Sequence, residues 1–285
     1  LGAFTGFLYG FNEREHIYDI IDYVSGQRFH PDYTRVGGVM RDLPDEEVFK
    51  RMVRAFIDDR LVSAMKDVET LLNRNRIFID RVQGIGVVTE EEATAWSLTG
   101  PLARASGVRR DLRKDDPYLC FEDNWDGQGA EAVEFSVPIA TDGDCFSRYL
   151  VRLEEMRQSR RIIHQLIDNI PSGPINSDPD GKMHIPAKGD VYGSIEATIQ
   201  HFEIIMTNRG WAAPIGEFYS AIESPNGELG YYIVADGGRC PWRVAVRPPS
   251  FTNFATFSKM LEGHQLADLV AVMGSINVIA AELDR

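Results

Sequence analysis

Apolar side chains recur at steps of three and four along most of this chain, the spacing that gathers them on one face of a helix. Phe4, Phe7, Leu8, Phe11, Ile17, Ile20, Ile21 and Val24 form the first such stripe and predict a helix over residues 1–25, with Phe7 in the core on spacing alone. Pro44 and the acids Asp45, Glu46 and Glu47 open a second helix in the favoured manner. Its stripe runs from Val48 through Ile57 and resumes from Val62 to Leu72, with Asp58-Asp59-Arg60 as the place where it would bend or break. Thr89 and Glu92 have capping-box spacing. Asp142-Gly143-Asp144 starts a long helix whose stripe runs from Phe146 to Ile170, until Pro171-Ser172-Gly173-Pro174 stops it. A further amphipathic helix is predicted over 194–206. The apolar stretch 269–281 is too short to cross a bilayer, which takes about 20 apolar residues.

Elsewhere the period changes to two, the signature of half-buried strands. Segments 133–139, 218–222, 231–235 and 242–246 alternate in this way, and Ser224-Pro225-Asn226-Gly227 and Asp236-Gly237-Gly238 supply turns. The pattern predicts an α+β chain, predominantly helical, treated as a single unit over 1–285. Residues 1–210 are mainly a helical bundle, and 211–285 carry a small antiparallel sheet and closing helices.

A net charge of -13 argues against a general nucleic-acid binder, which needs a basic face. The three cysteines, Cys120, Cys145 and Cys240, are scattered without a CxxC, so no zinc knuckle or disulfide framework is expected, and no metal bound by this chain. Against the acidic background, 98–118 concentrates Arg104, Arg109, Arg110, Arg113 and Lys114. Guanidinium groups suit bidentate contact with anions. The segment is therefore either a buried ion-pair hub, with Asp111, Asp115 and Asp116 as local partners, or a docking interface. Gly100-Pro101 and Ser106-Gly107 predict that it is loop-rich. Gly84-Ile85-Gly86 lacks the third glycine and the strand–helix context of a dinucleotide loop, so NADH is not expected to bind here. Glu196 and His201, five apart, do not share a helix face as metal ligands would. His30 and Arg35 stand in a Gly- and Pro-bounded segment whose turns would aim them.

Several of these stretches occur together, in order, in one known family. TGP-x-x-R-A-S-G-V-x-x-D-x-R-K-x-x-P-Y over 99–118 closely resembles the 49 kDa-type (D-type) subunit of respiratory complex I, itself related to the large subunits of [NiFe] hydrogenases. So do G-x-R-x-H-x-x-Y-x-R-x-G-G-V from Gly26, D-x-x-x-R-x-x-x-R-x-x-E-M-x-x-S from Asp144, E-x-P-x-G-E-x-G-x-Y around Glu223, and the S-x-D-x-V…D-R terminus. Four positions depart from the pattern: Asn12 replaces an arginine, Asn226 a basic residue, Asn277 an aspartate and Ile279 a valine.

The resemblance implies a hydrogenase-large-subunit-like bundle acting within a proton-translocating NADH:quinone oxidoreductase, with quinone as substrate. It implies that the terminal [4Fe–4S] cluster is held by a neighbouring B-type subunit, with C-type and membrane-arm H-type subunits as further partners. It places this chain peripherally on the cytoplasmic face of the inner membrane, or on the matrix side in a mitochondrion. On this reading His30 and Arg35 tune the cluster or relay protons. Thr5, Phe7, Phe29, Asn277 and Ile279 line the quinone chamber. Arg104, Arg109, Arg113, Lys114, Glu223 and Arg285 are structural or interface groups. Glu223 is expected to cap its own turn, although its hydrogenase counterpart is associated with proton movement. The terminal CxxC that holds nickel in hydrogenases has no counterpart here. The chain opens on Leu1 inside an apolar segment, so an upstream region carrying the quinone-headgroup histidine and tyrosine is expected. The rival readings are a subunit of a membrane-bound hydrogenase or ferredoxin-dependent relative, and a non-catalytic helical assembly protein.

Overall fold

The computed structural model describes residues 4–35, 37–176, 185–206 and 212–284. The helical part begins with α1 (Phe4–Ser25), α2 (Glu46–Arg54), α3 (Leu61–Leu72) and α4 (Arg76–Val82), with a two-residue hairpin, β1 (Thr34–Arg35) and β2 (Gly38–Val39), after α1. Short helices α5 (Glu90–Ala95), α6 (Gly100–Ala105) and α7 (Leu112–Asp115) lead to the long α8 (Cys145–Ile167), then α9 (Lys188–Gly193) and α10 (Ile195–Ile205). An antiparallel sheet of β3 (Gly216–Ser224), β4 (Gly227–Ala235) and β5 (Arg243–Arg247) follows, with β4 in the middle. Helices α11 (Pro249–Phe254), α12 (Phe257–Leu261), α13 (Asp268–Ile276) and α14 (Ala280–Leu283) complete the fold. The mostly helical α+β class expected from the periodicity is the class observed.

Helix α8 is the axis. Its N-cap Asp144 accepts from Ser147 N at 2.7 Å and, with its other oxygen, from Gly84 N at 2.7 Å, so the glycine loop is fastened to the helix start. Cys145 joins a core with Val88, Leu102, Met260, Val272 and Ile276. Towards its other end, Ile162 packs with Val133 and Phe135, and Ile167 packs with Val53 and Ile57. One helix therefore touches all three hydrophobic cores. At Gly86, φ is +63° and an added Cβ would lie 2.9 Å from Val272 Cγ2, so close packing requires the missing side chain. The amides of Gly84 and Gly86 are engaged by Asp144 and His264, which leaves neither for a phosphate.

Four expectations about the elements differ from the structure. Asp58-Asp59-Arg60, expected to bend or break the second helix, does not break it: Ala55–Arg60 forms a π-helical turn that continues into α3. The cause is visible on α8, where Arg160 takes the carbonyl of Ile57 (2.7 Å) and pairs with Asp58 (2.9 Å). Side-chain insertion of this kind favours the wider turn. The basic segment is less loop-like than expected, because Pro101 stands at the start of α6 instead of breaking it. Phe7 is not core. No residue of α1 is buried, and Phe4, Phe7, Leu8 and Phe11 are exposed, with Phe7 and Phe11 in ring contact at 4.4 Å.

The fourth difference concerns 133–139, which is extended and alternates Val133 and Phe135 inward but joins no sheet. Its partners are side chains of α8. Gln165 accepts from Glu134 N and donates to Glu134 O, both at 2.8 Å, and Gln158 accepts from Ser136 N at 3.0 Å. An amide side chain offers the same donor and acceptor as a peptide, so glutamines replace the neighbouring strand. Changing Gln165 to Leu is expected to cost about 1 kcal/mol. It should also speed hydrogen exchange at the Glu134 amide, while exchange at Ser136, held by Gln158, changes little.

Candidate functional site

Two regions gather the polar residues singled out above. The first is the segment that leaves α1. Gly26, at φ +76°, closes the helix, and Arg41 donates from Nε to the Val24 carbonyl at 2.9 Å, capping its C-terminal end. His30 is held in left-handed backbone (φ 54°) with its ring 3.9 Å from that of Phe29. Phe29 in turn meets Tyr18 edge-on at 6.1 Å, and the Arg28 guanidinium lies over Tyr18 and pairs with Glu15 and Asp19. Arg35, on β1, pairs with Asp32 at 3.2 Å. The hairpin is pinned from below, since Val39 N donates to Ile175 O at 3.0 Å and a Cβ on Gly38 would come within 2.1 Å of that oxygen. His30, Phe29 and Arg35 are all exposed, so a folded scaffold presents an imidazole and a guanidinium outward.

The second region is the hub around Arg104, whose side chain is 2% exposed. It donates to Glu155 of α8 and Glu223 of β3, both at 2.7 Å, and to the carbonyl of Arg110 at 3.1 Å; Asp111 lies at 3.5 Å. Of the three local aspartates expected as partners, only Asp111 contacts Arg104, and the principal acceptors come from distant elements. Arg113 grips Asp111 through two nitrogens, at 2.9 and 2.6 Å, and its guanidinium lies over Phe135. Lys114 lies over the same ring. Arg110 reaches Glu228 at 2.8 Å, while Arg109 is exposed. Arg285 lies outside the described residues.

Glu223 does not cap its own turn. Its second oxygen accepts from the Leu112 amide of α7 at 3.3 Å, and its own amide donates to the Tyr118 hydroxyl at 3.0 Å. Burial pushes the Glu223 carboxyl above the usual glutamate range, and Arg104 offsets this only in part. Burial also opposes the charge on Arg104, but Glu155, Glu223 and Asp111 together outweigh it and hold the guanidinium above its ordinary value. The two directions agree physically: three carboxylates lie against Arg104 and favour its charge, while Glu223, sharing that cation with Glu155 and Asp111, is compensated only in part.

Beside the hub, a 440 Å³ cavity is lined by Arg104, Arg152, Glu155, Ser159, Pro225 and Asn277, among others. Asn277 is the one residue expected to line a quinone chamber that faces it; Thr5 and Phe7 lie on α1, Phe29 after it, and Ile279 beyond α13. Asn277 takes left-handed backbone (φ 58°) at the end of α13 and donates to Asn226 Oδ1 at 2.7 Å, while Asn226 donates back to the Asn277 carbonyl at 3.2 Å. The two positions that depart from the resembling pattern by losing opposite charges therefore meet in space as a neutral amide pair. Sequence reading left Glu155, Arg152 and Arg148 without roles. The signal was present in the spacing of Asp144, Arg148, Arg152, Glu155 and Ser159, which sets all five on one face of α8.

Among the described residues, no three His, Cys, Asp or Glu side chains come together as a metal ligand set. Among them also, no helix is long and apolar enough to cross a membrane.

Residues 1–285 match the family model described as respiratory-chain NADH dehydrogenase, 49 kDa subunit. The chain is 45% identical over 286 residues to the D-type subunit of NADH-quinone oxidoreductase from Methylacidiphilum infernorum. It is 43% identical to the D-type subunit numbered 1 of Opitutus terrae, and 43% to that of Akkermansia muciniphila. All of this chain aligns, against 64%, 64% and 65% of those relatives' lengths.

Proposed function

We propose a function from one premise: this chain belongs to the family of the 49 kDa subunit of respiratory-chain NADH dehydrogenase. It works as part of the quinone-reducing end of a proton-translocating NADH:quinone oxidoreductase, peripheral to the membrane. Electrons reach quinone from a [4Fe–4S] cluster ligated by the neighbouring B-type subunit. The C-type and H-type subunits are the other partners.

The observation that carries this reading is that His30 and Arg35 are both exposed on the turn-built segment that follows α1. Neither belongs to a ligand set, so their chemistry toward a cluster is that of outer groups. A guanidinium favours the reduced, more negative state, and an imidazole holds a proton whose loss or gain follows that charge. Quinone reduction consumes two protons for two electrons, and a titrating group beside the donor couples the two. Phe29 adds apolar surface in this loop, Thr5 and Phe7 add hydroxyl and apolar surface at the far, N-terminal end of α1, and Asn277 and Ile279 supply a further wall. Arg104, Arg113, Lys114 and Glu223 hold the scaffold between them.

Arg35→Ala in the assembled complex tests the reading. NADH:quinone activity should fall about tenfold, while NADH oxidation by an artificial acceptor that draws electrons upstream stays near wild type. Equal loss of both activities, in step with loss of assembled complex, would show that Arg35 serves assembly alone.

A further inference from the structure

We propose that the two adjoining cavities along α8 form a binding site for a small anionic amphiphile, a single negative head on an apolar tail as in a long-chain carboxylate, with Arg152 receiving the head. The inference does not rest on the quinone reading.

The tail end is a 440 Å³ cavity between α3, α4, α8 and α13, walled by Val68, Phe78, Val82, Leu153, Val270 and Ala271. The head end is the cavity beside the hub. Arg152 and Met156 line both, so one guanidinium stands where the apolar and charged compartments join. The volume is in the range that encloses small organic ligands.

Arg152 lacks an adequate partner. Its hydrogen bonds go to the carbonyls of Arg148 and Ile276 at 3.4 and 3.5 Å, the long limit for such contacts. Among the described residues, no carboxylate lies within ion-pair distance of it. A guanidinium carries five donors and stays charged even when burial, as here, lowers its pKa to about 10.

The neighbouring carboxylates do not supply that partner. Arg148, fully buried one turn away, is held by neutral oxygens: the carbonyls of Gly86 and Gly143 (2.9 Å for the latter) and Ser275 Oγ at 2.9 Å. Its Nε has no partner. Glu155, Glu223 and Asp111 are already committed to Arg104 and Arg113. Arg104 and Arg113 thus hold three carboxylates and the buried Asp144 faces Arg148, while Arg152, beside an apolar cavity, has no carboxylate within ion-pair distance among the described residues. Buried charge is stable when paired. A monoanionic head gives Arg152 the ion-pair partner it lacks, and its tail covers the apolar wall that would otherwise face water. A neutral amphiphile satisfies only the second requirement.

The experiment uses the purified complete complex, a diazirine-bearing palmitate and the corresponding alcohol, with cross-linked peptides identified by mass spectrometry. The acid should label peptides from α3, α4 or α13, should do so about tenfold more than the alcohol, and should be competed by plain palmitate. Arg152→Gln should remove most of that preference. Ala271→Phe, which fills the tail end without touching a charge, should remove the labelling itself and covers the case in which Arg152→Gln fails to assemble. Equal labelling by acid and alcohol would overturn the assignment of the head to Arg152. Absence of labelling on these helices would mean that protein fills the cavity in the complex, and would overturn the site altogether. Labelling unchanged by Ala271→Phe would do the same.

Discussion

Arg104→Met is expected to destabilise the protein by about 3–5 kcal/mol at neutral pH. The cost arises less from the pairs lost than from the anions left behind: Glu223 and Asp111 are buried, and Glu155 is largely so. Leu112 N and Tyr118 would still touch Glu223, but neither carries a compensating charge. The pH dependence follows from the sign of the shift. The Glu223 carboxyl is raised in the folded wild type, so its contribution is complete below the unfolded value of about 4.3 and is lost as pH rises through the folded value. Removing Arg104 takes away the charge that lowers the Glu223 pKa, and so raises it further. The deficit should therefore be small in acid and grow toward neutrality in urea unfolding of the full-length protein at several pH values. A deficit independent of pH would mean that lost packing, not stranded charge, is the cause. Glu223→Gln should cost less than Arg104→Met, because the amide oxygen still accepts from one of Arg104 and Leu112 and the side chain carries no charge to strand.

Gly100→Ala is the second change with a large expected effect, about 2–5 kcal/mol from backbone strain and overpacking together. Gly100 has φ +70°, and an added Cβ would lie 2.3 Å from the carbonyl oxygen of Asn226 and 2.6 Å from Gly227 Cα. The opposing turn is equally tight: a Cβ on Gly227 would come within 2.4 Å of Thr99 Oγ1. Two glycines thus let the β3–β4 turn press on the start of α6, and Asn253 ties the two by donating to the carbonyls of both Thr99 and Asn226. That contact positions Glu223 over Arg104 and Asn226 against Asn277. Gly100→Ala should therefore lower the melting temperature and also loosen the hub, read as faster hydrogen exchange at the Leu112 amide. An unchanged melting temperature would contradict the described fit.

Element type was legible where one period dominated. The α8 stripe, its Asp144 start, the Thr89–Glu92 capping box and all three strands of the C-terminal sheet follow from spacing and turn residues, and each is present. What spacing does not encode is the partner. Alternation at 133–139 reports one buried face and one exposed face, a condition that glutamines of α8 satisfy as well as a strand does. Asp58-Asp59-Arg60 looks like a break because its polarity hides the arginine waiting on another helix. Phe7 shows the converse limit: its periodic position defines a face, and burial depends on something being packed there. The arginines of 98–118 could be recognised as exceptional in an acidic chain, but Glu155 and Glu223 as their acceptors required the fold to bring α8 and β3 together.

The central claim is that His30 belongs to the electron-transfer end of an NADH:quinone oxidoreductase, facing a cluster held by its neighbour. Redox titration of the terminal [4Fe–4S] cluster by EPR, at several pH values, in assembled complex carrying His30→Met, tests it most directly. Loss of the imidazole should lower the midpoint potential at acid pH, where the proton was held, and flatten its dependence on pH, with the amount of assembled complex unchanged. An assembled His30→Met complex whose cluster keeps both its potential and its pH slope would contradict the account.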